Sequence, residues 1–253
     1  MAEFYLLRDL LVVRGIALDA KEAISLILSG KVLVDEQKID KPGTKIKANA
    51  SLRIKGVLTK YVSRAGEKLE GIVNELSLQN LFHSATVLDV GSSTGGFTDF
   101  SLQNSAKEVF AVDVGTNQLD WKLRNDPRVH VFEKTDIKKF KKPAEVHFDV
   151  IVCDVSFTSI TFILESLKVL ASPSTYLLML IKPQFEADRQ DVETGGLITD
   201  EVNRNRIIQR TIETIKSQDF EVIANRNSTL RGRTGNLESW VVCRLISKQS
   251  HIG

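Results

Sequence analysis

The chain has 253 residues, 42% of them hydrophobic and 26% charged, with a formal net charge of +2. That length suits one large domain beside a small one, and the composition is ordinary for a soluble globular protein. No apolar run approaches the roughly 20 residues of a bilayer span, which excludes a helical membrane protein.

The start, Met1-Ala2-Glu3-Phe4, carries an acid where a signal peptide carries bases, so the expected location is cytoplasmic. Leu6, Leu7, Leu10, Leu11 and Val13 then suit an amphipathic helix that Gly15 ends. Asp19 with Glu22 resembles a capping box, opening a second helix through Ala23, Ile24, Leu26, Ile27 and Leu28 up to Gly30. Val32, Val34 and Ile39 around Asp35-Glu36, then Ile46 and residues 52–54 after Pro42-Gly43, predict short strands joined by turns. Residues 1–55 thus read as a small α+β domain, 56–60 as a linker, 61–248 as the large domain and 249–253 as a tail. Residues 1–60 hold 11 Lys+Arg against 7 Asp+Glu, and the remainder 23 against 25. A basic small domain beside a mildly acidic large one fits a binding module attached to an enzyme.

From residue 86 apolar strands alternate with helical patterns. Strands are expected at 86–90, 109–112, 129–132, 148–153, 176–181, 220–224 and 239–245. Helices are expected from Gly95-Gly96, on to Leu123, near 160–170 and over 201–217. The fold class is α/β, with a mostly parallel, doubly wound, Rossmann-like sheet covered on both faces. Cys153 and Cys243 sit far apart in apolar stretches and read as buried thiols, neither a disulfide framework nor a zinc pattern.

The strongest motif is Asp89-Val-Gly91-Ser-Ser93-Thr94-Gly95-Gly96-Phe97, after a buried strand and opening a helix. Glycines let backbone approach a ligand, and a helix N-terminus presents free N–H groups. An acid at Asp89 suits the cationic amino group of a methionine moiety better than a pyrophosphate. Asp113, ending the next strand, can accept from both ribose hydroxyls, and Asp136, after the third, from an adenine amino group. The bland alternative is a tight strand-to-helix turn without a ligand; acids after three successive strands weigh against it.

Four further residues stand where a sheet's carboxyl edge or a pocket lip is expected: Lys68, Asp154, Lys182 and Glu238. Singly, each reads best as a surface ion pair; four so arranged do not. They resemble the K-D-K-E tetrad of FtsJ-type ribose 2′-O-methyltransferases. The strings SRAGEKL, LDVGSSTGGFTD, CDVSF, IKPQFEA, GGLITD and GNLE are similar to the TlyA family, often labelled hemolysin A, along almost the whole chain. The resemblance implies a class I methyltransferase domain and S-adenosylmethionine as cofactor. It also implies an N-terminal RNA-binding domain of the ribosomal-protein type, and 2′-O-methylation of ribosomal RNA or subunits, with cytidine the usual target. Ala20 stands where that family's small domain usually carries an arginine, and Thr229 where it tends to have proline.

On this reading Lys182 takes the proton of the 2′-hydroxyl, Lys68 favours its neutral form, and Asp154 and Glu238 oppose that while orienting it. No metal is expected, nor a membrane partner. RNA contacts are expected from Arg14, Lys31, Lys45, Lys47, Lys138, Lys139, Lys141 and Lys142, with Arg231 and Arg233 at the lip. Competing classes are a catalytically silent RNA-binding or assembly protein, a membrane-active hemolysin, and a small-molecule methyltransferase. Oligomeric state leaves no mark in the sequence.

Overall fold

The computed structural model describes residues 4–35, 37–54 and 60–247. Met1 to Glu3, Glu36, the linker expected at 56–60 apart from Lys60, and the tail expected at 249–253 lie outside the described residues.

Residues 4–54 gather around a core of their own. The chain is extended over β1 (Phe4–Leu6) before it enters α1 (Leu7–Val13), so the first helix begins one residue later than its apolar pattern. Gly15, at φ +67°, supplies the left-handed turn that ends it. The second helix, α2 (Ala20–Leu28), is capped by Asp19, which accepts from the Glu22 N–H at 2.7 Å. Glu22 accepts from the N–H of Leu18, one residue earlier than in a regular capping box. Strands β2 (Val32–Val34), β3 (Gln37–Lys38), β4 (Lys45–Lys47) and β5 (Leu52–Ile54) form two small antiparallel sheets, ordered β1-β4 and β3-β2-β5. Leu7, Leu10, Leu11, Ala23, Ile27, Val32, Ile46 and Ile54 close the core between these sheets and the two helices.

The larger part opens with α3 (Arg64–Glu75), which the sequence reading left unassigned. Its buried stripe of Leu69, Ile72 and Val73 is short and interrupted by Gly66 and Gly71, so its periodicity is faint. There follow β6 (Thr86–Val90), α4 (Gly96–Gln103), β7 (Glu108–Val112), α5 (Trp121–Arg124), β8 (Val129–Phe132), β9 (Val150–Cys153), α6 (Leu164–Leu170), β10 (Tyr176–Ile181), α7 (Pro183–Glu186), α8 (Glu201–Ser217), β11 (Phe220–Asn227) and β12 (Ser239–Leu245). The helical pattern expected up to Leu123 shrinks to the single turn of α5. Asp113 Oδ1 accepts from the Gly115 N–H at 2.6 Å and Asn117 sits at φ +55°, which together bend this segment into a loop. The helix expected near 160–170 divides into a 3₁₀ turn, Ile160–Ile163, and α6.

Seven strands form one sheet ordered β11-β12-β10-β9-β6-β7-β8, all parallel except β12, which runs against both neighbours. Apolar residues pack on both of its faces, as a doubly wound sheet requires. Cys153 and Cys243 are buried free thiols, Cys243 pushed up to about 12 by burial. No helix among the described residues is long and apolar enough to cross a membrane. From β6 the chain builds outward through β7 and β8 on one side, then returns to place β9 and β10 on the other. The carboxyl ends of β6 and β9 therefore flank the topological switch point, where such sheets open a crevice.

Candidate active site

A cleft of about 280 Å³ lies at that switch point. Asp154 follows β9 and Lys182 follows the neighbouring parallel strand β10, so both leave the sheet at one edge. Glu238 arrives from the opposite chain direction. It precedes β12, whose first residue, Ser239, pairs with Ile181, the last of β10. Lys68 comes from α3, which packs against α4 so closely that a Cβ on Gly96 would lie 2.8 Å from the Ala65 Cβ.

These four residues make two ion pairs, Lys68–Glu238 buried and Lys182–Asp154 with its carboxylate half-buried. Lys182 Nζ lies 2.6 Å from Asp154 Oδ1 and donates to Ser156 Oγ at 2.7 Å; Lys68 Nζ donates to Glu238 Oε2 at 2.6 Å. All four line the cleft. Burial alone would push Asp154 up, but Lys182 and Lys68 hold it below the ordinary carboxylate value. Burial wins at Glu238, helped by Asp154 and opposed by Lys68 and Lys182, and its pKa is raised. Burial also pulls on the Lys182 ammonium, yet the carboxylates of Asp154 and Glu238 outweigh it and lift its pKa above the ordinary lysine value. The contest left open by the sequence is therefore won by the carboxylates, and Lys182 is charged in the free protein.

Asp89, Gly91, Ser93, Thr94 and Phe97 line the same cleft. Asp89 is fully buried; its Oδ2 accepts from the Thr98 hydroxyl at 2.6 Å, while Oδ1 has no hydrogen-bond partner among the described residues. Burial, with Asp154 and Asp113 nearby, raises its pKa to about 7 against the pull of Thr98. Gly91 stands at φ +80°, and a Cβ there would lie 2.7 Å from the Asp154 carbonyl oxygen. The loop thus passes closer to β9 than any side chain permits. An orphaned carboxylate oxygen beside a glycine cradle fits an ammonium-bearing ligand such as the methionine end of S-adenosylmethionine.

Gly95, Gly96, Asp113 and Asp136 are not among the lining residues. Gly95, at φ +93°, starts α4, and Gly96 faces α3. Asp113 accepts from the Ser93 N–H at 2.8 Å, tying the glycine loop to the loop after β7. Asp136 accepts from the Lys138 N–H at 2.9 Å and caps its own turn outside the cleft.

The cleft contains residues that sequence reasoning missed. Phe157 is 92% exposed, and its ring lies 5.4 Å from that of Phe185. An aromatic residue three positions beyond a strand-ending acid was the available signal. One wall comes from the turn between α1 and α2, including Val13, Arg14, Gly15, Ala17 and Leu18. The Arg14 guanidinium, expected to grip RNA, turns inward and donates to the carbonyls of Ala48 and Ala50. Arg231 and Arg233 lie at the lip, as the sequence order places them beside Glu238. Lys31, Lys45, Lys47, Lys138, Lys139 and Lys141 are exposed, whereas Lys142 is half-buried and donates to the Val146 carbonyl. Among the described residues no group of three or more His, Cys, Asp or Glu is placed to hold a metal ion.

The sequence profile of the family described as FtsJ-like methyltransferase matches residues 61–245. The chain is 40% identical over 232 residues to the Bacillus subtilis protein YqxC, a candidate rRNA methyltransferase, covering 90% of this chain and 82% of the relative. It is 34% identical over 236 residues to the 16S/23S rRNA (cytidine-2′-O)-methyltransferase TlyA of Mycobacterium tuberculosis, covering 92% and 87%. A solved Streptococcus thermophilus protein, described as a candidate hemolysin, superposes with a TM-score of 0.83 at 32% identity, covering 98% of this chain and 90% of that one.

Proposed function

The chain belongs to the FtsJ-like methyltransferase family, and on that premise we propose that it methylates a ribose 2′-hydroxyl, that of a cytidine, in ribosomal RNA with S-adenosylmethionine as donor. One observation carries the reading: Lys68, Asp154, Lys182 and Glu238, drawn from four separate segments, meet in the cleft that also holds the unpartnered oxygen of Asp89.

When bound, S-adenosylmethionine supplies an electrophilic methyl group on a sulfonium. Asp89 Oδ1 would hold its amino group, while Gly91, Ser93, Thr94 and Phe97 shape the seat, Gly95 turns the loop into α4 and Gly96 lets α4 pack against α3 behind it. Asp113, already supporting the loop through Ser93, would accept from the ribose hydroxyls. Asp136, whose Oδ1 accepts from the Lys138 N–H, would take the adenine amino group through its other oxygen.

A 2′-hydroxyl is a weak acid, so attack on the methyl carbon requires a base for its proton. Neutral Lys182 takes that proton as the new C–O bond forms, and the ammonium it becomes rests against Asp154. The ion pair in the free protein then corresponds to the charge state after transfer, and the reactive state holds one proton fewer. Glu238 and Lys68 fix the far side of the site through their mutual bond. Phe157, exposed at the mouth, offers its face to an unstacked nucleobase, since the target ribose must leave regular duplex geometry to reach the lysine.

The small unit at residues 1–55 serves as the RNA-binding domain, joined by the 56–60 segment to the catalytic domain at 61–248. Its exposed Lys31, Lys45 and Lys47 and its α1–α2 turn on the cleft wall support this role. A cytoplasmic location follows from ribosomal RNA as substrate. The test is incubation of the protein with labelled cofactor and purified ribosomal subunits or free rRNA, then mapping of any methylated ribose. Transfer to a cytidine 2′-oxygen is expected; a methyl group on a base, or none, overturns the proposal.

A further inference from the structure

Phe157 occupies an unusual backbone position. At φ +63° it lies in the left-handed region, which is strained for a non-glycine residue and persists only where the surroundings enforce it. Two anchors flank it. On the upstream side Ser156 accepts from Lys182 Nζ. On the downstream side Glu186 Oε1 accepts from the Ile160 N–H at 2.8 Å, and Oε2 accepts from the Ser159 hydroxyl at 2.5 Å. Ser159 Oγ in turn accepts from the Thr161 N–H at 3.1 Å, starting the 3₁₀ turn. Both anchors belong to the one segment after β10, since Glu186 ends α7 and Phe185 beside it backs the Phe157 ring. Arg210 of α8 holds α7 from behind by donating to the Glu186 carbonyl at 2.6 Å. Burial raises the pKa of the Glu186 carboxyl, against Ser159, Ile160 and Arg210, as expected of a group placed for hydrogen bonding rather than for contact with solvent.

We propose that Glu186 is a positioning residue: it clamps the segment after β9 to the helix after β10, and thereby holds Phe157 in the strained pose that receives the target nucleobase. The proposal rests on the methyltransferase reading above for its substrate, but the clamp itself has a readout that needs no substrate.

Two variants of the full chain separate hydrogen bonding from bulk. Glu186→Ala removes both acceptors. Glu186→Gln keeps the acceptor for the Ile160 N–H and replaces the second by an NH₂ that donates to the Ser159 oxygen, so both contacts persist with the second reversed in direction. With Glu186→Ala the KM for rRNA is expected to rise about tenfold while kcat stays within about threefold and cofactor affinity is unchanged. With Glu186→Gln the KM returns to within about twofold of wild type. In parallel, amide exchange at Ile160 accelerates in Glu186→Ala and not in Glu186→Gln. A wild-type KM in Glu186→Ala, or a Gln variant as impaired as the Ala variant, overturns the clamp. Should Glu186→Ala fail to fold, Ser159→Ala removes one of the two bonds, and an unchanged KM there has the same force. If the wild-type protein methylates no RNA, the reaction reading fails, and the exchange at Ile160 still decides whether Glu186 holds this segment.

Discussion

Ile181 at the end of β10 pairs in register with Ser239 at the start of β12, so Lys182 and Glu238 leave the sheet side by side although 56 positions separate them. The reversal of β12 is the cause: its amino end meets the carboxyl end of its neighbour. The consequence is electrostatic. Glu238 joins Asp154 in holding the proton on Lys182, so a reaction that needs neutral lysine is suppressed at low pH.

The single-turnover rate should therefore climb with pH through the alkaline range in the wild type. Asp154→Asn removes the nearest negative charge, which destabilises the ammonium, lowers the Lys182 pKa and moves the rising limb to lower pH, even though the plateau falls with lost orientation. Lys182→Ala should abolish transfer at every pH while cofactor still binds. It leaves the half-buried Asp154 with Lys68 as its remaining cationic neighbour, so thermal unfolding should show a loss of about 1–3 kcal/mol. A rising limb in the same place for wild type and Asp154→Asn would remove Lys182 as the base.

Asp89 gives a second pH dependence with its own sign. Its folded pKa of about 7 lies above the ordinary value of 3.8, so the folded protein keeps a proton that the unfolded chain has released. Its contribution to stability thus falls as pH rises from about 4 to about 7 and is level beyond. Cofactor affinity runs the other way, because an ammonium needs the carboxylate. Affinity should increase about tenfold per pH unit up to about 7 and then flatten, with a proton released on binding at pH 6. Burial sets this value first, with Thr98, Asp154 and Asp113 adjusting it, and Asp89→Asn, which has no carboxyl to titrate, should bind weakly with no slope. Calorimetric titration in two buffers of different ionisation heat measures both quantities.

The sequence made the central strands legible as short apolar runs, and β6 and β9 carry an acid at or just past the carboxyl end. Asp89 and Asp154 were readable at the cleft for that reason. Lys68 was readable only by motif, since α3 shows little periodicity around Gly66 and Gly71. Nothing local could reveal that β12 is reversed, so Glu238 was placed by resemblance rather than by register. Arg14 shows the opposite case. Its residue type suits a phosphate, yet its guanidinium bonds the carbonyls of its own unit. Charge can be counted along a chain, whereas the partner that neutralises it is decided by packing. The cleft wall from residues 13–18 is of this kind too, because it depends on how the small unit lies against the glycine loop.

Gly91 in the cleft and Gly96 behind it should respond differently to one added methyl group. Gly91→Ala must both hold φ +80° and find room 2.7 Å from a backbone carbonyl, which cannot yield as a side chain can. It should lose about 2–4 kcal/mol of stability and nearly all cofactor binding. Gly96→Ala presses on Ser63 Oγ and the Ala65 Cβ between two helices, away from the cofactor seat. It should lose about 1–3 kcal/mol, with cofactor affinity in the folded fraction within about threefold of wild type. Denaturant unfolding with and without cofactor distinguishes these outcomes, and equal loss of binding in both variants would contradict the assignment of Gly96 to packing.

The exposed lysines divide into two groups, and salt dependence can weigh each. Lys31, Lys45 and Lys47 belong to the small unit, and Lys138, Lys139 and Lys141 to the loop after β8. If a group contacts phosphates, its replacement by alanine removes counterion release, and the slope of log K against log salt falls by about 0.7–0.9 per lost contact. A lysine that only solvates its surface leaves the slope unchanged, whatever small change it makes in affinity at one salt concentration. The triple variant of the small unit is expected to lower the slope by about two, and that of the loop by about one to two. Lys138 Nζ also lies 5.9 Å from the centroid of the exposed Phe162 ring, so its replacement removes a cation–π contact within the protein as well. Filter binding to rRNA across a range of potassium chloride concentrations supplies both slopes. Unchanged slopes in both triple variants would move the RNA interface to Arg231 and Arg233 at the cleft lip.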